Sequence, residues 1–230
     1  MEIEGLLGDK TYPGRGIIVG LSPQRRAVVA YFIMGRSENS QNRVLALDKE
    51  TLKAEAFDLS KVGDPSLIHY TAIEAYADSL IISNGDHGQV IHSYLKDGKT
   101  FEQALKSCRY EPDEPHYTPR ISALVSLKMP FSYTLSIIRR SEGRCSRRFF
   151  KYNDPTQGGG QLIHTYKEDG KVLPSFVGSP REVTIGEDIE VFSQKVWKAL
   201  DKDNRIALYV RYTDLVDGKL EERLYNKHSK

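Results

Sequence analysis

Gly16-Ile-Ile-Val-Gly-Leu21 and Ala27-Val-Val-Ala-Tyr-Phe-Ile-Met34 flank the turn Ser22-Pro-Gln-Arg-Arg26, and both segments are apolar almost without interruption. Their β-branched and aromatic content predicts a hairpin of two strands. A strand with one wet face alternates apolar and polar residues, whereas a strand that is apolar throughout is covered on both sides. This hairpin therefore belongs inside a layered structure, and the other elements must supply its covers.

With 230 residues and 39% hydrophobic content, the chain has enough apolar material for a sizeable core, and a single domain over 1–230 is expected. Lys+Arg 33 against Asp+Glu 31 leaves a net charge of +2, so binding nucleic acid through bulk electrostatics is not indicated and any anion site must be local. Cys108 and Cys145 have no His or Cys neighbour at metal-ligand spacing, so neither a zinc site nor a disulfide framework is expected. A cytoplasmic location follows from that cysteine usage, from a charged Met1–Lys10 without an apolar signal segment, and from the lack of a membrane-spanning run.

Further strands are predicted at Val44–Leu47, Lys53–Phe57, Ser79–Ser83, Ile121–Leu127, Tyr133–Ile138, Cys145–Tyr152, Gly160–Tyr166, Arg205–Tyr212 and Leu220–Tyr225, with a connection from Pro65 to Ala72 that ends near a strand. Helical spacing appears in Val90, Ile91, Tyr94 and Leu95, and again in Phe101, Ala104 and Leu105, on either side of Asp97-Gly98. A last helix carries Ile189, Phe192, Val196, Trp197 and Leu200 on one stripe, with Thr184 as the expected N-cap. Strands in long blocks with helices in two places predict an α+β fold of two packed sheets with helices outside.

The chemistry is placed in polar stretches that border apolar strands, where loops converge at the rim of a sheet pair. Tyr110-Glu-Pro-Asp-Glu-Pro-His-Tyr-Thr-Pro-Arg120 gathers carboxylates, phenols, an imidazole and a guanidinium, and Pro112, Pro115 and Pro119 exclude a helix through it. Tyr12-Pro-Gly-Arg-Gly16 offers a guanidinium fork between glycines, and Gly35–Arg43 brings Arg36, Asn39, Asn42 and Arg43. Ser83-Asn-Gly-Asp-His87 leads into a helix. Each also reads as an ordinary solvated loop. Arg139, Arg140, Arg144, Arg147 and Arg148 cluster about a hairpin turn, as a solvated end, a subunit contact or a nucleic-acid surface, and Gly158-Gly-Gly160 is either a flexible turn or a close backbone approach. The sequence motifs of nucleotide-binding glycine loops and zinc hydrolases are absent.

Tyr12-Pro-Gly-Arg15, Arg36-Ser, Asn42-Arg43, Tyr70, Ser83-Asn-Gly-Asp-His87, Tyr110-Glu111 with Asp113, and Thr118-Pro-Arg120-Ile, in this order, resemble the archaeal-type IMP cyclohydrolase family. The likeness is best over about residues 10–125. It implies a four-layered αββα sandwich like that of the N-terminal-nucleophile hydrolases, though without a nucleophile at residue 2, which is Glu2. It also implies ring closure of 5-formamidoimidazole-4-carboxamide ribotide (FAICAR) to inosine monophosphate (IMP) with loss of water, without metal or other cofactor. It puts Arg43, Tyr70 and Glu111 at the reacting centre, with Arg36, Asn42, Asn84, Asp113 and Arg120 around them. Arg15, Arg36 and backbone amides near Gly14 and Gly85 would hold phosphate and ribose, and a homo-oligomer is expected. The arginine cluster has no counterpart in that pattern. A hydrolase of another nucleotide or amide substrate, or a non-catalytic nucleotide- or RNA-binding protein, stand as the alternatives.

Overall fold

The computed structural model describes residues 1–62 and 68–228. Strands β1 (Arg15–Leu21), β2 (Ala27–Met34), β10 (Gly159–His164), β11 (Arg181–Thr184), β12 (Arg205–Thr213) and β13 (Leu220–Asn226) form one antiparallel sheet in the order β11-β10-β1-β2-β12-β13. The second sheet is a meander in chain order: β3 (Arg43–Asp48), β4 (Thr51–Ala56), β5 (Tyr70–Tyr76), β6 (Ser79–Ser83), β7 (Arg120–Ser126), β8 (Ser132–Ser141) and β9 (Arg144–Asn153).

The apolar hairpin explains itself in this setting. Ile17, Val19, Val29, Tyr31 and Ile33 point between the sheets and meet Leu52, Ala72, Ile82, Ala123 and Leu135 of the meander. The alternate residues Ile18, Val28, Ala30, Phe32 and Met34 point outward, where Leu7 of α1 (Ile3–Leu7) and Phe192 and Val196 of α5 (Ile189–Ala199) cover them. On the far side, Ile81 and Ile138 of the meander pack against Ile91 of α3 (His87–Lys96) and Phe101 and Leu105 of α4 (Phe101–Ser107). The class is α+β, a sandwich of two antiparallel sheets with helices on both outer faces.

Several expectations change in detail. Thr184 ends β11, paired with Gly159, and the cap of α5 is Asp188, whose side chain accepts from Val191 N at 3.0 Å. Strand pairing claims Thr184 before it can cap. The helix α1, the short helix α2 (Glu38–Gln41) inside the expected loop, and the strands β5 and β11 were not anticipated at full length. Residues 65–67 of the expected Pro65–Ala72 connection lie outside the described residues. The break between α3 and α4 falls at Gly98, whose φ of +70° suits glycine, and Thr100 then starts α4 with a capping box closed by Gln103.

The arginine cluster separates into different jobs. Arg147 donates from Nε to Leu105 O (2.9 Å) and from Nη2 to Cys108 O (2.5 Å), satisfying carbonyls at the end of α4. Arg140 lies 4.0 Å over the Tyr117 ring, and Arg148 5.2 Å over Phe150. Arg147→Leu is therefore expected to lower unfolding free energy in urea by about 1–2 kcal/mol, whereas exposed Arg144→Ser leaves it unchanged within error. Equal effects would contradict the capping role.

Candidate active site

In a meander, alternate strands begin at the same rim. Arg43, Tyr70 and Arg120 are the first residues of β3, β5 and β7, and so share one rim. Arg15 is the first residue of β1, and Gly16 pairs with both Phe32 and His164, so the end of β2 leading to Arg36 and the end of β10 leading to Tyr166 reach the matching rim of the other sheet. Between them opens a cavity of about 220 Å³ whose wall includes Tyr12, Arg15, Arg36, Arg43, Glu111, Asp113, His116, Thr118, Tyr166 and Leu173.

The backbone is shaped to put Arg15 there. Gly14 has φ +84°, and a Cβ on it would run into Thr165 Oγ1 and the Tyr166 ring. Arg15 N then donates to Thr165 Oγ1 at 3.2 Å, and Thr165 Oγ1 donates to Pro13 O at 3.1 Å. The Arg15 Nε is buried without a hydrogen-bond partner in the protein. Desolvation alone would lower its pKa, yet Tyr70, Tyr166, Tyr12 and Glu111 outweigh that and raise it, so Arg15 stays a cation at any working pH. Arg43 is pushed below its ordinary value by burial and by the neighbouring Arg15.

Glu111 faces these cations. Its N donates to Thr118 O at 3.0 Å, pinning the start of the proline-rich loop to its end. Burial pushes the Glu111 carboxyl above the usual carboxylate range, while Arg15 and Arg120 pull the other way. A Cβ at Gly85 would lie 3.1 Å from both Glu111 Oε1 and Arg120 Nη1, so Gly85 leaves room for these two groups to close over it. Arg120 pairs with Asp86 and donates to His87 Nδ1 at 3.1 Å. His87 is kept neutral, its pKa pushed down to about 3 by burial and then by Arg120, so its Nε2–H is left to donate to Ile121 O at 3.2 Å. Asp113 accepts from Thr118 N (2.6 Å) and from Thr118 Oγ1, whose oxygen in turn receives the Tyr166 hydroxyl at 2.6 Å.

Of the residues singled out in the sequence, Arg15, Arg36, Arg43, Glu111 and Asp113 line the cavity, and Gly85 and Arg120 stand behind Glu111. Tyr70 lies deeper. Its hydroxyl meets that of Tyr31 at 2.8 Å between the sheets, beside the two arginines. The expected ligands Asn42 and Asn84 are spent on the backbone: Asn42 exchanges two 2.8 Å bonds with Asp58, and Asn84 spans Pro119 O (3.0 Å) and Ile121 N (2.8 Å). Both amides thus hold the site's loops in place. Tyr31, His116, Tyr166 and Leu173 went unassigned in the sequence. Tyr31 and Tyr166 read there as strand residues, and only His116 stood inside a stretch already marked for chemistry.

Among the described residues, no group of three or more His, Cys, Asp or Glu side chains is placed to hold a metal ion. No described helix is long and apolar enough to cross a membrane. A roomier cavity of about 580 Å³, at the other ends of β1 and β10 beside Gly158–Gly160, contains Lys151 and Glu182 but no arginine. The rim cavity, by contrast, has Arg15, Arg36 and Arg43 on its wall.

Carboxylates and arginines thus meet at one rim of an α+β sandwich. Residues 12–219 match the family described as IMP cyclohydrolase-like protein, and the chain belongs to that family. It is 28% identical over 116 residues to the IMP cyclohydrolase of Methanocaldococcus jannaschii, covering 50% of this chain and 56% of that protein. With the IMP cyclohydrolase of Methanococcus aeolicus it shares 27% identity, over 50% of this chain and 58% of that one. Identity to the IMP cyclohydrolase of Methanothrix thermoacetophila is 30% over 163 residues, covering 69% of this chain and 76% of the relative. The chain thus spans a little over half the length of the methanococcal relatives it matches.

Gly14→Ala tests the local argument. The added methyl meets Thr165 and Tyr166 in a backbone conformation that suits glycine, so a loss of about 1–3 kcal/mol in stability is expected. Affinity for an anionic ligand of the cavity should fall with it; wild-type stability and affinity would contradict the placement of Arg15 by this turn.

Proposed function

We propose that the protein is an IMP cyclohydrolase, closing FAICAR to IMP with loss of water by acid–base catalysis. The observation that carries this reading is the Glu111 carboxyl on a cavity wall shared with Arg15 and Arg43, with Arg120 close behind it. In the reaction, the carboxamide nitrogen attacks the formyl carbon and gives up a proton as the N–C bond forms. The formyl oxygen gathers charge, takes a proton, and leaves as water with a second proton from the formamido nitrogen. Glu111 is suited to take the first proton and return it to the departing oxygen, since its raised pKa brings the acid and base forms closer in energy at neutral pH. Arg15 and Arg43 supply fixed cationic donors for the developing oxyanion. Tyr70, hydrogen-bonded to Tyr31 behind them, orients that end of the cavity instead of forming its surface.

The same reading takes the four layers as an αββα sandwich in the manner of the N-terminal-nucleophile hydrolases, in one domain, acting on purine nucleotides without a metal. It also includes a homo-oligomer in the cytoplasm that does not bind nucleic acid. The use of Arg147 on the end of α4 supports the last point, because that guanidinium is withdrawn from the basic cluster.

Purified protein mixed with FAICAR should produce IMP, followed by absorbance, at a rate unchanged by chelator. Glu111→Gln keeps the shape and removes the acid–base function, so turnover should fall about 10²–10⁴-fold while IMP still binds. Absence of wild-type turnover, or a fully active Glu111→Gln variant, would overturn the assignment.

A further inference from the structure

At the rim opposite the arginines the sheets leave a gap. Tyr133 and Tyr152 of the meander turn towards the space between the sheets, their rings stacked with centroids 4.9 Å apart. Across from them β10 turns Gly159, Gln161 and Ile163 to the same space, and β11 sets Glu182 beside Gln161. Facing positions in a sandwich ordinarily carry apolar side chains that interdigitate. Here Ile163 does so, while a glycine and two polar residues hold the other places, and the result is the cavity of about 580 Å³. Tyr133 is 3% exposed, yet among the described residues its hydroxyl has no hydrogen-bond partner, although a buried phenol ordinarily finds one. Burial and then Glu182 push the Tyr152 phenol up, which sets that carboxylate close to the ring. Lys151 turns its Nζ away to Glu102 on α4, at 2.6 Å, so Asp154 and Glu182 are the charged side chains of this wall without an ion pair among the described residues. A Cβ on Gly159 would meet only Thr156 O, at 3.4 Å, so the wall is open there.

We propose that this cavity is a second binding site, separate from the arginine-lined one, for an uncharged nucleoside whose base carries an amino group. The tyrosine pair offers an aromatic surface for a base. The Gln161 amide presents a donor and an acceptor to the base edge, and the Glu182 carboxylate accepts from an exocyclic amino group. The Tyr133 hydroxyl gains the hydrogen bond that the protein does not give it. A phosphate would meet the like charges of Asp154 and Glu182, which selects a nucleoside over a nucleotide. The volume suits a ligand of that size. None of this rests on the chemistry proposed for the other rim.

The test is calorimetric titration with adenosine as the probe. The wild-type protein should bind it, and should bind inosine, which has a carbonyl where adenosine has its amino group, more than tenfold more weakly. Gly159→Val puts a side chain into the open part of the cavity, so adenosine should weaken more than tenfold while turnover of FAICAR is unchanged. Glu182→Gln keeps the shape and removes the charge, and should weaken adenosine several-fold; thermal melting of both variants keeps loss of fold apart from loss of the site. No adenosine binding by the wild type, equal affinity for inosine, or wild-type affinity for adenosine in either folded variant would overturn the site, whatever the outcome with FAICAR.

Discussion

The structure depends on keeping two guanidinium groups, Arg15 and Arg43, together at the mouth of an apolar sandwich. Each is desolvated, and the charge of Arg15 pushes the pKa of Arg43 down. Like charges in a low-dielectric setting are costly, so they persist only where the surroundings fix them and supply compensating groups. Here each arginine is the first residue of a strand whose next residues are locked in the sheets, and Glu111 is the acid brought to face them. On the proposed reading this unfavourable placement is what makes the site useful, because an oxyanion formed there would relieve the repulsion.

The supporting parts share that logic. Gly14 turns the chain so that Arg15 can lie across Thr165, Asn42 and Asn84 spend their amides on loop backbone, and His87 stays neutral to hold Arg120 without adding charge. The Asp113–Thr118–Tyr166 chain joins the proline-rich loop to the opposite sheet, so the two halves of the site are fastened across the sandwich.

Much of this was legible in the sequence, for physical reasons. The unbroken apolar hairpin required covers on both faces, and the meander of strands set alternate strand starts at one rim, so polar stretches far apart in sequence had to converge. What could not be read was which polar side chains face the cavity. Asn42 and Asn84 have the chemistry of ligands but are consumed locally, whereas Tyr31 and Tyr166 look like core residues and carry hydroxyls into the network. Thr184 is a sound cap by local preference, yet pairing with Gly159 overrides it. The arginine cluster looked like one feature by spacing, but Arg140, Arg147 and Arg148 meet different neighbours.

The central claim is that a desolvated Glu111 carboxylate does the proton transfer. The most direct measurement is the pH dependence of kcat for FAICAR closure. Because burial raises the Glu111 pKa and the base form must take the first proton, activity should fall as pH drops through a limb lying above the 4.5 of an ordinary glutamate, and the residual activity of Glu111→Gln should lack that limb. A limb at or below 4.5, or the same limb in the Glu111→Gln variant, would contradict the account.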